Sequence, residues 1–168
     1  GPIIKQVVIP ITIDDTAVSL FDKVTRAGFE IFKDVLTCFE NEDVPTIPNR
    51  KEAGSYYRRR TPAQGLIDWD QSALAIYNLI RALVPPFPGA FSYFNGRKVI
   101  IEWGLPLEIK PEQAVPGEVF EFQFSGQLAI AAKIGAILPH QVKREGFGSG
   151  APSDLFPARG IKPGDILG

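Results

Sequence analysis

The sequence predicts two unlike parts: an α/β edge made of one strand and one long helix, then a small, mainly antiparallel β-barrel. Three observations carry this. Residues 3–13, IIKQVVIPITI, are β-branched and apolar, and apolar side chains then recur at helical spacing from about 16 to 40. Beyond residue 90 the pattern shortens to period two around Asn95-Gly96, the strongest short hairpin signal in the chain. The 16 glycines and 15 prolines are spread along all 168 residues as punctuation, which suits short strands and turns better than a helical bundle.

Taken in order, Pro10 edges or breaks the first strand, because proline offers no ladder donor. Asp14-Asp15-Thr16 supplies N-cap candidates and negative charge for the helix start. Phe21, Val24, Ile31, Val35 and Phe39 recur at helical spacing, with Leu20, Ala27 and Phe32 beside them. One strand and one helix cannot bury both faces of a sheet, so this part reads as the edge of something larger. Residues 41–67 are polar, irregular and too long for an ordinary connection. Residues 70–84, DQSALAIYNLIRALV, predict a second helix with Asp70 as N-cap and Ala73, Ile76, Tyr77, Ile80 and Leu83 on one face. Pro85-Pro86 ends it.

Strands over 91–94 and 97–103 then flank a type I′ turn at Asn95-Gly96. Further strands are expected near 105–109, 118–124 and 127–133, with a turn at Ser125-Gly126. Residues 144–160 read as a loop and 165–167 as a short final strand. Five or six short strands behind one helix suggest an OB-like barrel. The domain division is 1–45, a linker over 46–68, and 69–168.

Lys plus Arg number 18 against 19 Asp plus Glu, a net charge of −1. That argues against a surface whose overall charge holds nucleic acid or an anionic membrane. No apolar run approaches the roughly 20 residues that span a bilayer, and the start lacks the basic region and cleavage site of a signal peptide. A cytoplasmic location is expected. Cys38 is the one cysteine, so neither an internal disulfide framework nor a Cys-rich zinc site is available. His140 is the one histidine, which excludes a His-rich metal cluster. The chain contains no methionine and begins Gly1-Pro2-Ile3-Ile4. It is expected to be a processed chain, a cut piece, or one in which Gly1-Pro2 is either native or a cleavage scar.

The run Tyr56-Tyr57-Arg58-Arg59-Arg60-Thr61-Pro62 is the best candidate for chemistry. Arginine forks match phosphate oxygens, and tyrosine stacks on a base or sugar face. The plainer reading is a solvated basic loop, some of whose arginines pair with the acids at 40–43; Arg50 and Lys51 add to its charge. Asp68-Trp69-Asp70 brings two carboxylates near a helix start, but neighbours at i and i+2 seldom face one substrate bond; capping by Asp70 and packing by Trp69 are expected instead. Pro85-Pro86-Phe87-Pro88-Gly89-Ala90 reads as a rigid turn. His140 has no partner motif, and Cys38 reads as a small buried residue. No P-loop, Gly-x-Gly-x-x-Gly, His-Glu-x-x-His or EF-hand pattern occurs.

Four stretches give the chain a family resemblance. Residues 1–24, GPIIKQVVIPITIDDTAVSLFDKV, resemble the end of the catalytic domain of the 10-formyltetrahydrofolate-dependent formyltransferases, where a Gly-x-Ile-Ile-x-Gln strand precedes Asp-Thr-x-x-Ser-Leu and a long helix. Residues 56–69, YYRRRTPAQGLIDW, are similar to the interdomain segment of the sugar-nucleotide N-formyltransferase branch. Residues 76–94, with the Pro-Pro-x-Pro-Gly-Ala-Phe turn, resemble the start of its C-terminal domain, and 160–168, GIKPGDILG, its closing strand. The match over 120–158 is weak.

The resemblance implies the tail of a Rossmann-like formyltransferase domain followed by an OB-like barrel. It implies transfer of a formyl group from 10-formyltetrahydrofolate to the amine of a nucleotide-linked amino sugar, without a metal. The family's catalytic Asn, His and Asp, and its folate-binding loops, would fall before Gly1, so the resemblance assigns no catalytic residue to this chain and implies that it is inactive without the missing catalytic half. His140, in the barrel, cannot stand in for the missing histidine. Tyr57, Arg58 and Arg60 are implied to contact the nucleotide diphosphate or base, and Asn78 and Phe87 to line the substrate cleft. The helix face left bare by the missing half implies a homo-oligomer. Two other functions stand beside this one: a portion of a methionyl-tRNA formyltransferase, and a stand-alone OB-like binding module. The acids Glu102, Glu108, Glu112, Glu118 and Glu121 oppose a tRNA surface. The alternation of Phe91, Tyr93, Phe120, Phe122 and Phe124 suits a buried core face better than a stacking platform.

Overall fold

The computed structural model describes residues 1–49, 54–144, 148–158 and 160–168. Arg50 and Lys51 lie outside them. The chain divides into two compact units, Gly1–Arg60 and Thr61–Gly168.

The first unit is built on α1, Ala17–Glu40. Thr16 is its N-cap, in a reciprocal box: Ser19 N–H donates to Thr16 Oγ1 at 3.1 Å, and Thr16 N–H donates to Ser19 Oγ at 3.0 Å. Asp15, one residue earlier, is buried and collects four donors. Lys23 Nζ lies 2.7 Å from Oδ1, Thr12 donates from N–H and Oγ1, and Ser19 Oγ donates at 2.8 Å. The Lys23 ammonium first, then the Thr12 amide and the Ser19 hydroxyl, hold its carboxyl far below the ordinary value of 3.8. Along α1, Leu20, Ala27, Ile31, Val35 and Cys38 form a half-buried stripe, but no residue of the helix is buried. Phe21, Val24, Phe32 and Phe39, expected on a core face, are exposed, and Cys38 is half-buried rather than buried.

The predicted strand over 3–13 does not form. Ile3 alone pairs, through reciprocal bonds to Ile47 of 2.8 and 2.7 Å. A β-branched run offers strand propensity only, and a ladder also needs a neighbour. Lys5 is paired with Asp34 on α1.

The second unit is a six-stranded antiparallel sheet in the order β1-β2-β5-β4-β3, with β6 on the far part of β5. Its strands are β1 (Ala90–Phe94), β2 (Arg97–Leu107), β3 (Val119–Phe122), β4 (Gln127–Ala131), β5 (Ala136–Arg144) and β6 (Ser149–Gly150). The Asn95-Gly96 turn forms as expected, with φ of 49° and 71°. Helices α2 (Ala73–Ala82) and α3 (Pro152–Ala158) pack on β5, α2 also on β2. Ile76 and Ile80 of α2 meet Ile101, Ile130, Ile137 and Val142 of the sheet in the main core. Trp69 is buried beside them, its Nε1 donating to the fully buried Ser92 Oγ at 3.0 Å. A second cluster forms from the neighbours in sequence, Ala129, Ala131, Ala136 and Leu138. Both faces are therefore covered over 129–131 of β4 and 136–139 of β5.

Several expectations are corrected here. The strand expected over 105–109 is the continuation of β2, which runs unbroken from 97 through register shifts at Glu102 and His140. Strand β5, absent from the sequence reading, is the centre of the sheet. Its first half, residues 136–139, has no alternation because both faces are buried there, and it contains Pro139, which marks against a strand. The predicted 144–160 loop holds β6 and α3 among its described residues; Pro152 begins α3 and Asp154 sits in its first turn, two ordinary start signals. Residues 145–147 and 159 of that stretch lie outside the description. Asp70 is not the cap of α2: Ser72 Oγ takes the Ala75 amide at 3.2 Å. The final strand over 165–167 is a single bridge, Ile166 to Glu118. Even so, the last residues bond both edges of the sheet, Leu167 N–H to Gly117 O at 2.9 Å and Gly168 N–H to Tyr93 O at 3.0 Å. Of the alternating aromatics, Phe91 and Phe120 are buried, while Tyr93 and Phe124 are exposed. Glu102 is buried and adds nothing to surface charge.

Gly96 has positive φ but open space, so Gly96→Ala costs only the left-handed backbone, about 1–2 kcal/mol. A Cβ at Gly117 would lie 2.3 Å from the Leu167 carbonyl and one at Gly135 2.2 Å from the Leu107 carbonyl. Gly117→Ala and Gly135→Ala are each expected to cost more than about 3 kcal/mol in urea denaturation. For Asp15, the depressed carboxyl stabilises the fold fully above its ordinary value of 3.8, and that contribution drains as pH falls below it. Protection of the amides in the first turn of α1, taken relative to their intrinsic exchange rates, should fall as pH drops below about 4, and Asp15→Asn should remove this pH dependence and show low protection already at neutral pH.

Candidate functional site

Packing does not account for the polar side chains at two places, one in each unit. In the first unit, residues 54–60 run without helix or strand. Tyr56 and Tyr57 are fully or almost fully exposed, and Arg58, Arg59 and Arg60 are exposed. None of the three guanidinium groups is in an ion pair with a described residue, so the pairing considered with the acids at 40–43 does not occur. Each keeps its planar set of donors available for an anion.

In the second unit the turn from α2 into β1 borders a cleft. Pro85 and Pro86, joined by a cis peptide bond, lead through Phe87 and Pro88 to Gly89 at φ 85°. A Cβ on Gly89 would lie 2.4 Å from Ile100 Cγ2, so the turn lies directly against β2. Between turn and sheet is a cleft of about 190 Å³. The proline rings and the half-exposed Phe87 form one wall; Ile100, Glu102 and Lys143 form the other.

The register explains how the second wall is made. Ile100 stands opposite Lys143, and Glu102, two residues along, has no cross-strand partner because the ladder slips between Ile101 and Trp103. A bulge of this kind re-aims a side chain. Glu102 is 6% exposed, and its Oε2 has no hydrogen-bond partner. Lys143, on the same cleft, is exposed and makes no ion pair with it.

Of the expected site residues, Tyr57, Arg58 and Arg60 belong to the first unit, Asn78 and Phe87 to the second. Phe87 lines the cleft. Asn78 does not; it is exposed on α2, where its Oδ1 accepts from Arg81 Nε at 2.8 Å. Glu102 and Lys143 escaped the sequence reading, although a lone acid inside the apolar run VIIEWGL is a signal for the first of them. Asp68 and Asp70 do not face a common site: Asp68 accepts from the Gln71 side chain at 2.9 Å and from the Asp70 amide at 3.0 Å, and these bonds lower its carboxyl below the ordinary value. His140 is exposed on β5. Among the described residues, no three His, Cys, Asp or Glu side chains gather to hold a metal ion, and no helix is long and apolar enough to cross a membrane.

Known proteins resemble this chain in both sequence and fold. The family model described as formyl transferase, C-terminal domain, matches residues 59–156, more than half of the chain. An N-formyltransferase from Helicobacter canadensis, crystallised with folinic acid and dTDP-3-aminofucose, is 21% identical with a TM-score of 0.61, over 83% of this chain and 50% of its own. WlaRD, a sugar 3N-formyl transferase solved in the presence of dTDP and 5-N-formyl-THF, is 23% identical with a TM-score of 0.60, over 83% and 49%. HypX from Aquifex aeolicus, in complex with tetrahydrofolic acid, is 17% identical with a TM-score of 0.63, over 95% and 30%. At these identities the likeness is one of fold. The chain spans half or less of the length of each.

Proposed function

The chain belongs to the formyl transferase C-terminal domain family, and on that premise we propose that it is the C-terminal portion of an N-formyltransferase acting on a nucleotide-linked amino sugar. The family match over 59–156 carries the formyl-transfer part of this reading. The two sugar N-formyltransferases, each alike in fold over 83% of the chain, support the acceptor. In this reading 1–45 end the catalytic domain, 46–68 link, and 69–168 form an OB-like C-terminal domain.

Formyl transfer needs a base for the attacking amine and preorganised donors for the oxyanion. The family resemblance assigns these, and the residues that hold 10-formyltetrahydrofolate, to sequence outside this chain. The folate supplies the formyl carbon when bound. What this chain contributes is substrate binding. Arg58 and Arg60 present forked donors to the diphosphate, and Tyr57 stacks on the base. Among the described residues no carboxylate pairs with these arginines, which supports that role. The 168-residue chain alone is expected not to transfer formyl groups.

Calorimetric titration of dTDP- and UDP-linked amino sugars into the full-length parent tests the reading. Arg58→Ala and Arg60→Ala should each weaken binding about tenfold, roughly 1.4 kcal/mol. Unchanged affinity in both variants overturns it.

A further inference from the structure

The cleft between the proline turn and the sheet presents a buried acid and an accessible base that do not pair with each other. Glu102 is more than nine-tenths buried, and its Oε2 meets no donor. A carboxylate oxygen taken from water without a partner bears its full desolvation penalty, so the site is incomplete as it stands. The missing partner is an N–H donor, and a charged one compensates a buried anion best.

Lys143 restricts the choice. Its side chain borders the same cleft, opposite Ile100 on the neighbouring strand. A ligand that is only cationic meets the ammonium of Lys143, and one that is only anionic meets the carboxylate of Glu102. A ligand bearing both charges, amine inward and anion outward, satisfies the two together. The remaining walls are pyrrolidine rings, Phe87 and Ile100, which suit a short apolar stem between the charges. The volume of about 190 Å³ admits a small molecule and nothing larger. The walls are also preformed, because the prolines hold their φ angles and Gly89 lies hard against Ile100.

We propose that this cleft is a binding site for a small zwitterion of the amino-acid class, its ammonium on Glu102 and its carboxylate or phosphate on Lys143. The proposal rests on the side chains of the second unit and does not depend on formyl transfer, although Phe87 figures in both readings.

The probes are β-alanine, 4-aminobutyrate and 6-aminohexanoate, with butylamine and butyrate as single-charge controls. They are titrated into the ¹⁵N-labelled 168-residue chain, and the amides of Ile100, Glu102 and Lys143 are followed. At least one amino acid should give saturable shifts there and bind tenfold or more tighter than either control, its length reporting the spacing of the two charges. Glu102→Gln and Lys143→Met should each weaken it tenfold or more. Without probe, Glu102→Gln should melt about 4 °C higher, because a buried unpaired charge is gone. Binding of all three amino acids no tighter than butylamine or butyrate overturns the proposal. So does a lower melting temperature in both variants without probe, which means that Lys143 serves Glu102 directly.

Discussion

The second unit depends on β5, which is paired along its whole length on one edge and at both ends on the other, and whose first half, residues 136–139, is covered on both faces. β2 lies along one edge for its whole length, and β4 and then β6 share the other. α2 and α3 pack against it. A backbone group buried on such a strand has no water to fall back on, so every irregularity must be matched across the ladder. Pro139 lacks a donor, and it sits opposite Gly104, where a Cβ would come within 2.8 Å of the Leu138 carbonyl. The close approach at this point and the register slip on either side of Trp103 are one accommodation of a proline in a central strand.

That accommodation reaches the cleft. The slip leaves Glu102 without a cross-strand partner and directs it to the side where the proline turn approaches. An acid placed there is costly to the fold. Natural proteins keep such arrangements where a ligand completes them, which is why a small bulged segment of one strand is of more functional interest than the larger apolar surfaces of the molecule.

The first unit shows the opposite balance. Its most heavily bonded acid, Asp15, is satisfied entirely by its own neighbours: Thr12, Ser19 and Lys23. The Asp-Thr-x-x-Ser stretch that carries part of the family resemblance therefore has a local structural reason, a capping box reinforced by a caged carboxylate. The arginines at 58–60 have no such ion-pair partners among the described residues, and that donor capacity suits them to an anion.

Features governed by local chemistry were legible in the sequence: the span of α1 and its Thr16 start, the face of α2, the Asn95-Gly96 hairpin, the burial of Trp69, and the exposed arginine run. Each follows from a few adjacent residues acting through caps, turns or helical period. What needed distant partners was not legible. The first half of β5 carries no alternation because both its faces are buried, the run over 3–13 pairs only with Ile47 among the described residues, and α3 is anchored by Phe156 in a core that no neighbouring residue announces. The cleft is of the same kind. Glu102 and Lys143 are 41 residues apart by number, and only the pairing of β2 with β5 puts the buried acid and the exposed base on one wall, because register is set by the ladder and not by the residues that it aligns.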